Sequence, residues 1–147
     1  MIIGIFGASC TGKSSIADEI SKRTGAKVFT GKDYLKFAKS EAEARREFID
    51  MLKANEETGD YFIYVITEKE HMAFLPAKAI RVYMTADAET IKKRFSKRIN
   101  GELSPPMIAM IEKMQGLFVD EKYDLRLENV DGSIAEISDK ILAKCKE

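Results

Sequence analysis

"MIIGIFGASCTGKSSIADEI", Met1–Ile20, decides how the rest of the chain reads. Its first six residues are nearly all apolar, the composition of a buried strand. Gly7–Ser14 then follows G-x-x-x-x-G-K-S without a mismatch. From Lys13 onward Ile16, Ala17 and Ile20 share one helical face, and Gly25 is the expected stop. An apolar strand before such a pattern and a helix after it make a phosphate-cradling loop, and argue against an ordinary glycine turn. Backbone N–H groups converge on an anion only where the chain curls tightly, which Gly7 and Gly12 permit. The helix beginning near Lys13 aims its positive end at the same spot. The expected phosphate contacts are therefore Gly7, Ala8, Ser9, Cys10, Thr11, Gly12, Lys13, Ser14 and Ser15. Lys13 supplies a mobile charge for the β- and γ-phosphates of a nucleotide, and the Ser14 hydroxyl a ligand for Mg²⁺.

Beyond the loop, strand-like and helix-like stretches alternate. Strands are expected at Ala26–Thr30, Tyr61–Ile66, Ala79–Met84 and Asp124–Asn129. Ser40 with Glu43 forms a capping box for a helix carrying Phe48, Ile49 and Leu52. Asp87 caps a helix over Ala88–Ile99. Ser104, Pro105 and Pro106 open another, since proline is tolerated in a first turn. Ser133 and Glu136 form a second capping box. This alternation predicts an α/β fold with a parallel sheet and helices on both faces, in one domain spanning 1–147.

Charge narrows the function classes. Acidic and basic residues balance at 24 each, which leaves no overall footprint for nucleic acid or an anionic membrane. No apolar run is long enough to span a bilayer, and the N-terminus lacks the basic region of a secretory signal. Cys10 and Cys145 lie at opposite ends without metal-ligand spacing, so a reducing, cytoplasmic setting is expected.

Three segments, "GIFGASCTGKSS", "VFTGKDYL" and "RFSKR", resemble the P-loop nucleoside monophosphate kinases, and "YDLRLENVDGSIAEISDKIL" is similar to the last strand, loop and helix of adenylate, cytidylate and guanylate kinases. Together they cover most of the chain, though only the first is specific. The resemblance implies a three-layer P-loop NTPase fold with a five-stranded parallel sheet, Mg·ATP as donor and a small-molecule acceptor, a nucleotide or nucleoside. It also implies that Arg94 stacks on the adenine ring and that Arg98 contacts the donor phosphates as charge develops, a clamp role in phosphoryl transfer. The alternative for both is a solvated basic face with Lys92, Lys93 and Lys97. The loop Glu128–Ser133 falls beside the base in this family, or is simply a turn.

The chain also departs from that pattern. Leu35, with Lys36 beside it, stands where an arginine grips the acceptor phosphate, and Thr67 with Glu68 where the third strand of adenylate kinases ends in an aspartate. The lid is reduced to about 99–106 and the acceptor-side insertion to one helix within about 33–58. A second arginine pair beyond the lid is missing, and Arg126 falls inside a strand.

Asp33 is a candidate to take a proton from the acceptor or to hold Mg²⁺ through water, with a helix cap as the equal alternative. Lys32, Lys36, Arg45 and Arg46 are candidates for an anionic acceptor, the last two reading better as a solvated helix face. His71, the single histidine, reads as surface, and Met107, Met110, Met114 and Leu117 as core or lid packing. No N-K-x-D occurs to select guanine, which disfavours a switch GTPase. The readings that remain are an ATP-dependent kinase, a nucleotide-binding module that acts through a partner and, behind both, a guanylate-kinase-like interaction domain, for which a tyrosine/serine-rich GMP-binding stretch is missing.

Overall fold

In the computed structural model, residues 1–128 and 134–147 are described. The expected capping box of Ser133 and all but the first residue of the Glu128–Ser133 loop lie outside them. Five strands form one parallel sheet: β1 (Ile2–Phe6), β2 (Lys27–Thr30), β3 (Phe62–Ile66), β4 (Ile80–Thr85) and β5 (Leu125–Glu128). Their order is β2-β3-β1-β4-β5. Five α-helices connect and flank them: α1 (Lys13–Thr24), α2 (Glu41–Ala54), α3 (Ala88–Ile99), α4 (Pro105–Met114) and α5 (Ile134–Cys145). Two 3₁₀ segments, Gly31–Phe37 and Lys69–Phe74, follow β2 and β3.

β1 and β3 are buried at every residue, as strands covered on both faces must be. Alternate side chains therefore feed two separate cores. On one face Ile3, Ile5, Ile63, Val65 and Val82 pack against Ile16 and Ile20 of α1 and Ile137 and Ile141 of α5. On the other, Phe6, Tyr64 and Tyr83 meet Phe48 and Leu52 of α2, Phe74 and Phe118. That second core is largely aromatic: Phe6 stacks on Tyr83 with centroids 5.0 Å apart, and Phe48 meets Tyr64 edge-on at 4.9 Å. The expected methionine stripe of α4 is shifted. Ile111 is its buried residue, Met110 is exposed, and Phe118 beyond the helix fills the core.

The topology fixes where a ligand can sit. After β1 the chain leaves through α1 toward β2; after β4 it leaves through α3 and α4 toward β5. Connections therefore diverge at the carboxyl ends of the neighbouring strands β1 and β4, which opens a crevice there. The loop Gly7–Gly12 occupies that crevice, and Gly7 shows how tightly. Its φ is +148°, and a Cβ there would lie 2.1 Å from the Met84 carbonyl oxygen of β4. Only glycine fits both demands.

Candidate phosphate-binding site

The loop is held by its own short-range bonds. Gly7 N–H donates to Ile66 O at 3.2 Å, and Thr11 Oγ1 donates to Ala8 O at 2.9 Å. Cys10 takes a left-handed conformation with φ 64°, and so does Gly12 at 92°. Arg94 reaches from α3 and donates from Nη1 to Cys10 O at 2.8 Å. The arginine expected on a base is thus tied, in this structure, to the loop backbone.

A comparison of helix N-termini marks this one out. α2 is capped by Ser40, α3 by Asp87 and α4 by Ser104, each side chain accepting from a first-turn N–H. Gly12 gives α1 no side-chain acceptor, and its first turn holds no acidic residue. The uncovered N–H groups there suit an incoming anion.

Lys13 is 5% exposed and donates from Nζ to Ala8 O at 2.6 Å. Burial pushes its pKa down to about 8, and the nearby Arg98 guanidinium lowers it too, against an opposing pull from Cys10. Lys13, Ser14, Arg98, Thr30 and Thr67 line one cavity of about 170 Å³ in front of the loop. Arg98 and Lys13, 85 residues apart in sequence (98 − 13), thus meet at one site. Thr30 and Thr67 stand at the ends of β2 and β3; the sequence marks them only as part of "VFTGKDYL" and as a departure from an aspartate, not as phosphate contacts.

Asp33 is absent from that lining. Its Oδ2 accepts from Thr30 N–H at 2.8 Å, which is the cap of the two alternatives. The structure thus shows its capping role, and neither its expected metal role nor its proton-transfer role. Among the described residues no cluster of three His, Cys, Asp or Glu is placed to hold a metal. The side-chain donors that line the cavity are the hydroxyls of Ser9, Ser14, Ser15, Thr30 and Thr67, the Cys10 thiol and two cations. Magnesium prefers carboxylates beside phosphate oxygens, so this set does not fit an ion held by the protein itself.

On the acceptor side, Arg45 forms an ion pair with Glu41, which also accepts from the Tyr34 hydroxyl at 3.1 Å. Lys32, Leu35, Lys36 and Arg46 are exposed. His71 is not at the surface: it is 3% exposed, with Tyr34, Tyr64 and Phe74 ring centroids at 5.8, 6.2 and 5.4 Å. Among the described residues its Nδ1 has no hydrogen-bond partner, and its Nε2 lies 3.6 Å from Glu68 Oε2. The sequence points to the surface because the flanking Lys69 and Glu70 conceal the period of a 3₁₀ turn. The segment expected as a lid, about 99–106, is a short turn: α3 is closed by Asn100 in a left-handed conformation, Gly101 N–H returns to Ser96 O, and α4 begins at Pro105.

No protein-family model matches the chain, and no curated protein matches it in sequence. Solved structures do match in fold. An uncharacterized protein from Eubacterium ventriosum has a TM-score of 0.70 at 15% identity, covering 100% of this chain and 99% of that one. The Bacillus subtilis YorR protein, solved in complex with phosphorylated GDP, has 0.66 at 21%, covering 99% and 96%. Shikimate kinase from Aquifex aeolicus has 0.60 at 17%, also covering 99% and 96%. The chain therefore has the fold of the P-loop kinases, along its whole length and as a five-stranded parallel α/β sheet. Among the described residues no helix is long and apolar enough to cross a membrane.

Proposed function

We propose that this protein is an ATP-dependent kinase that transfers the γ-phosphate to a small molecule, a nucleotide or nucleoside by the sequence resemblance. One observation carries the reading: the uncapped N-terminus of α1, Lys13 and Arg98 converge on a single cavity, in front of the loop and beside the ends of β2 and β3, in a kinase fold. Phosphoryl transfer needs positioning and charge neutralisation more than covalent chemistry, and this arrangement supplies both. The loop N–H groups and Lys13 hold the β- and γ-phosphates. Arg98 meets the charge that grows on the oxygens in flight. Arg94 keeps the loop curled from the α3 side. Any magnesium in the reaction arrives on the nucleotide. The two cysteines, both unpaired and buried, go with the cytoplasmic setting of this reading.

A second reading, nucleotide binding without transfer, is favoured by the acceptor side. There Arg45 is engaged by Glu41, and Tyr34, Tyr64, Phe74 and His71 fill the space between the two 3₁₀ segments with their own rings. Release of ADP from Mg·ATP, measured across nucleoside monophosphates, nucleosides and small phosphorylatable metabolites, separates the two. The kinase reading expects one acceptor to accelerate release and Lys13→Ala to abolish the acceleration. No acceleration by any acceptor, with ATP still raising the melting temperature, moves the assignment to the binding module.

A further inference from the structure

The cavity before the loop has an unbalanced charge. Lys13 and Arg98 line it, with Ser9, Ser14, Ser15, Thr30 and Thr67, and no carboxylate is among the described residues that do. The two acids nearest in sequence to its threonines are turned to other work. Asp33 accepts from the Thr30 amide, and Glu68 faces the His71 imidazole. A metal ion entering such a cavity meets two cations and no anion of the protein. A free polyphosphate meets two cations, uncovered helix N–H groups and hydroxyl donors.

We propose that the pocket binds nucleoside polyphosphate in its metal-free form, with Lys13 and Arg98 taking the charge-neutralising place of a divalent ion. This rests on the nucleotide reading above. Magnesium removes two of the nucleotide's negative charges, and in a cavity already carrying two positive ones that loss offsets the gain of bringing the metal. Thr30 and Thr67 hydrogen-bond to phosphate oxygens here. A carboxylate in the place of Thr67 would repel them and make a cation necessary as a bridge.

The test is calorimetric titration with ATP at pH 7 and fixed ionic strength, in EDTA and in excess magnesium, on the wild-type chain and on Thr67→Asp. Wild type is expected to bind ATP in EDTA within about threefold of its affinity with magnesium. Thr67→Asp is expected to weaken metal-free binding about tenfold or more while changing the magnesium complex far less, so that a metal requirement appears. The wild-type ratio decides the matter even where the variant does not fold. Wild-type binding that needs magnesium by tenfold or more overturns the inference and leaves the nucleotide reading standing. Absence of binding in both conditions overturns both.

Discussion

The two halves of the carboxyl edge are built on opposite plans. On the β1–β4 side the working groups are backbone: a glycine turn, an uncapped helix end and carbonyls that hold Lys13 and Arg94 in place. On the β2–β3 side the space is filled by side chains: Phe29, Tyr34, Phe48, Tyr64, His71 and Phe74 pack ring against ring, and the charges around them pair with each other. A site made of backbone depends on where glycines and a helix start fall. A site made of packed side chains depends on contacts between distant segments. The loop side is therefore open to a ligand's phosphates as it stands, and the β2–β3 side, apart from Thr30 and Thr67 at the strand ends that line the same cavity, is arranged to stabilise the fold.

That contrast predicts that stability and binding separate by region. Phe48→Ala removes a fully buried ring from the aromatic half and is expected to cost about 3–5 kcal/mol, read by urea unfolding. The rise in melting temperature with ATP should survive in it, and losing that rise would join the two halves. Arg98→Ala works the other way. With the acceptor found by the ADP assay, kcat is expected to fall about 10²–10³-fold while the urea midpoint stays put.

A smaller effect concerns pH. Lys13 in the free loop loses its proton near pH 8, and only the charged form attracts phosphate. ATP affinity is expected to fall about tenfold by pH 9, a dependence that Lys13→Met removes. Stability of the unliganded fold moves oppositely. The cost of burying a charged ammonium is fully present below pH 8 and is relieved as pH rises from about 8 toward lysine's ordinary 10.5. Thermal melts across that range read the sign. The smallest expected effect is His71→Phe. It replaces an imidazole that sits among aromatic rings and whose Nδ1 lacks a hydrogen-bond partner among the described residues, so the variant should be as stable as the wild type or more stable by about 1 kcal/mol at most, read by urea unfolding. A clear loss of stability would mean that the imidazole is a working part of that half.

Legibility in the sequence follows the same division. The β1–loop–α1 unit reads directly because its signals are local: an apolar run, two glycines at fixed spacing and a helical stripe. The side-chain caps Ser40, Asp87 and Ser104 act within three residues, and all three stand where the sequence puts them. Long-range facts do not read that way. His71 looks exposed beside Lys69 and Glu70 until Tyr34 and Tyr64 fold over it. Asp33 reads equally as a cap and as a site carboxylate until its oxygen is found on Thr30 N–H. The spacing of Arg94 and Arg98 is legible, but the partner of Arg94 at Cys10 lies 84 residues away. Phe118, outside any helix, enters the core only because Phe6 and Tyr83 stack beneath it.

The most direct measurement of the central claim is ATP binding, by melting-temperature shift and calorimetry, to the wild-type chain and to Lys13→Ala. Lys13 belongs to the loop rather than to either core, so the variant should fold with an unchanged far-UV spectrum. The wild type is expected to be stabilised by ATP in proportion to the logarithm of its concentration, and the variant to lose that stabilisation. Equal ATP binding by a folded Lys13→Ala variant would contradict the account, because the phosphates would then lie somewhere other than the Gly7–Ser15 loop.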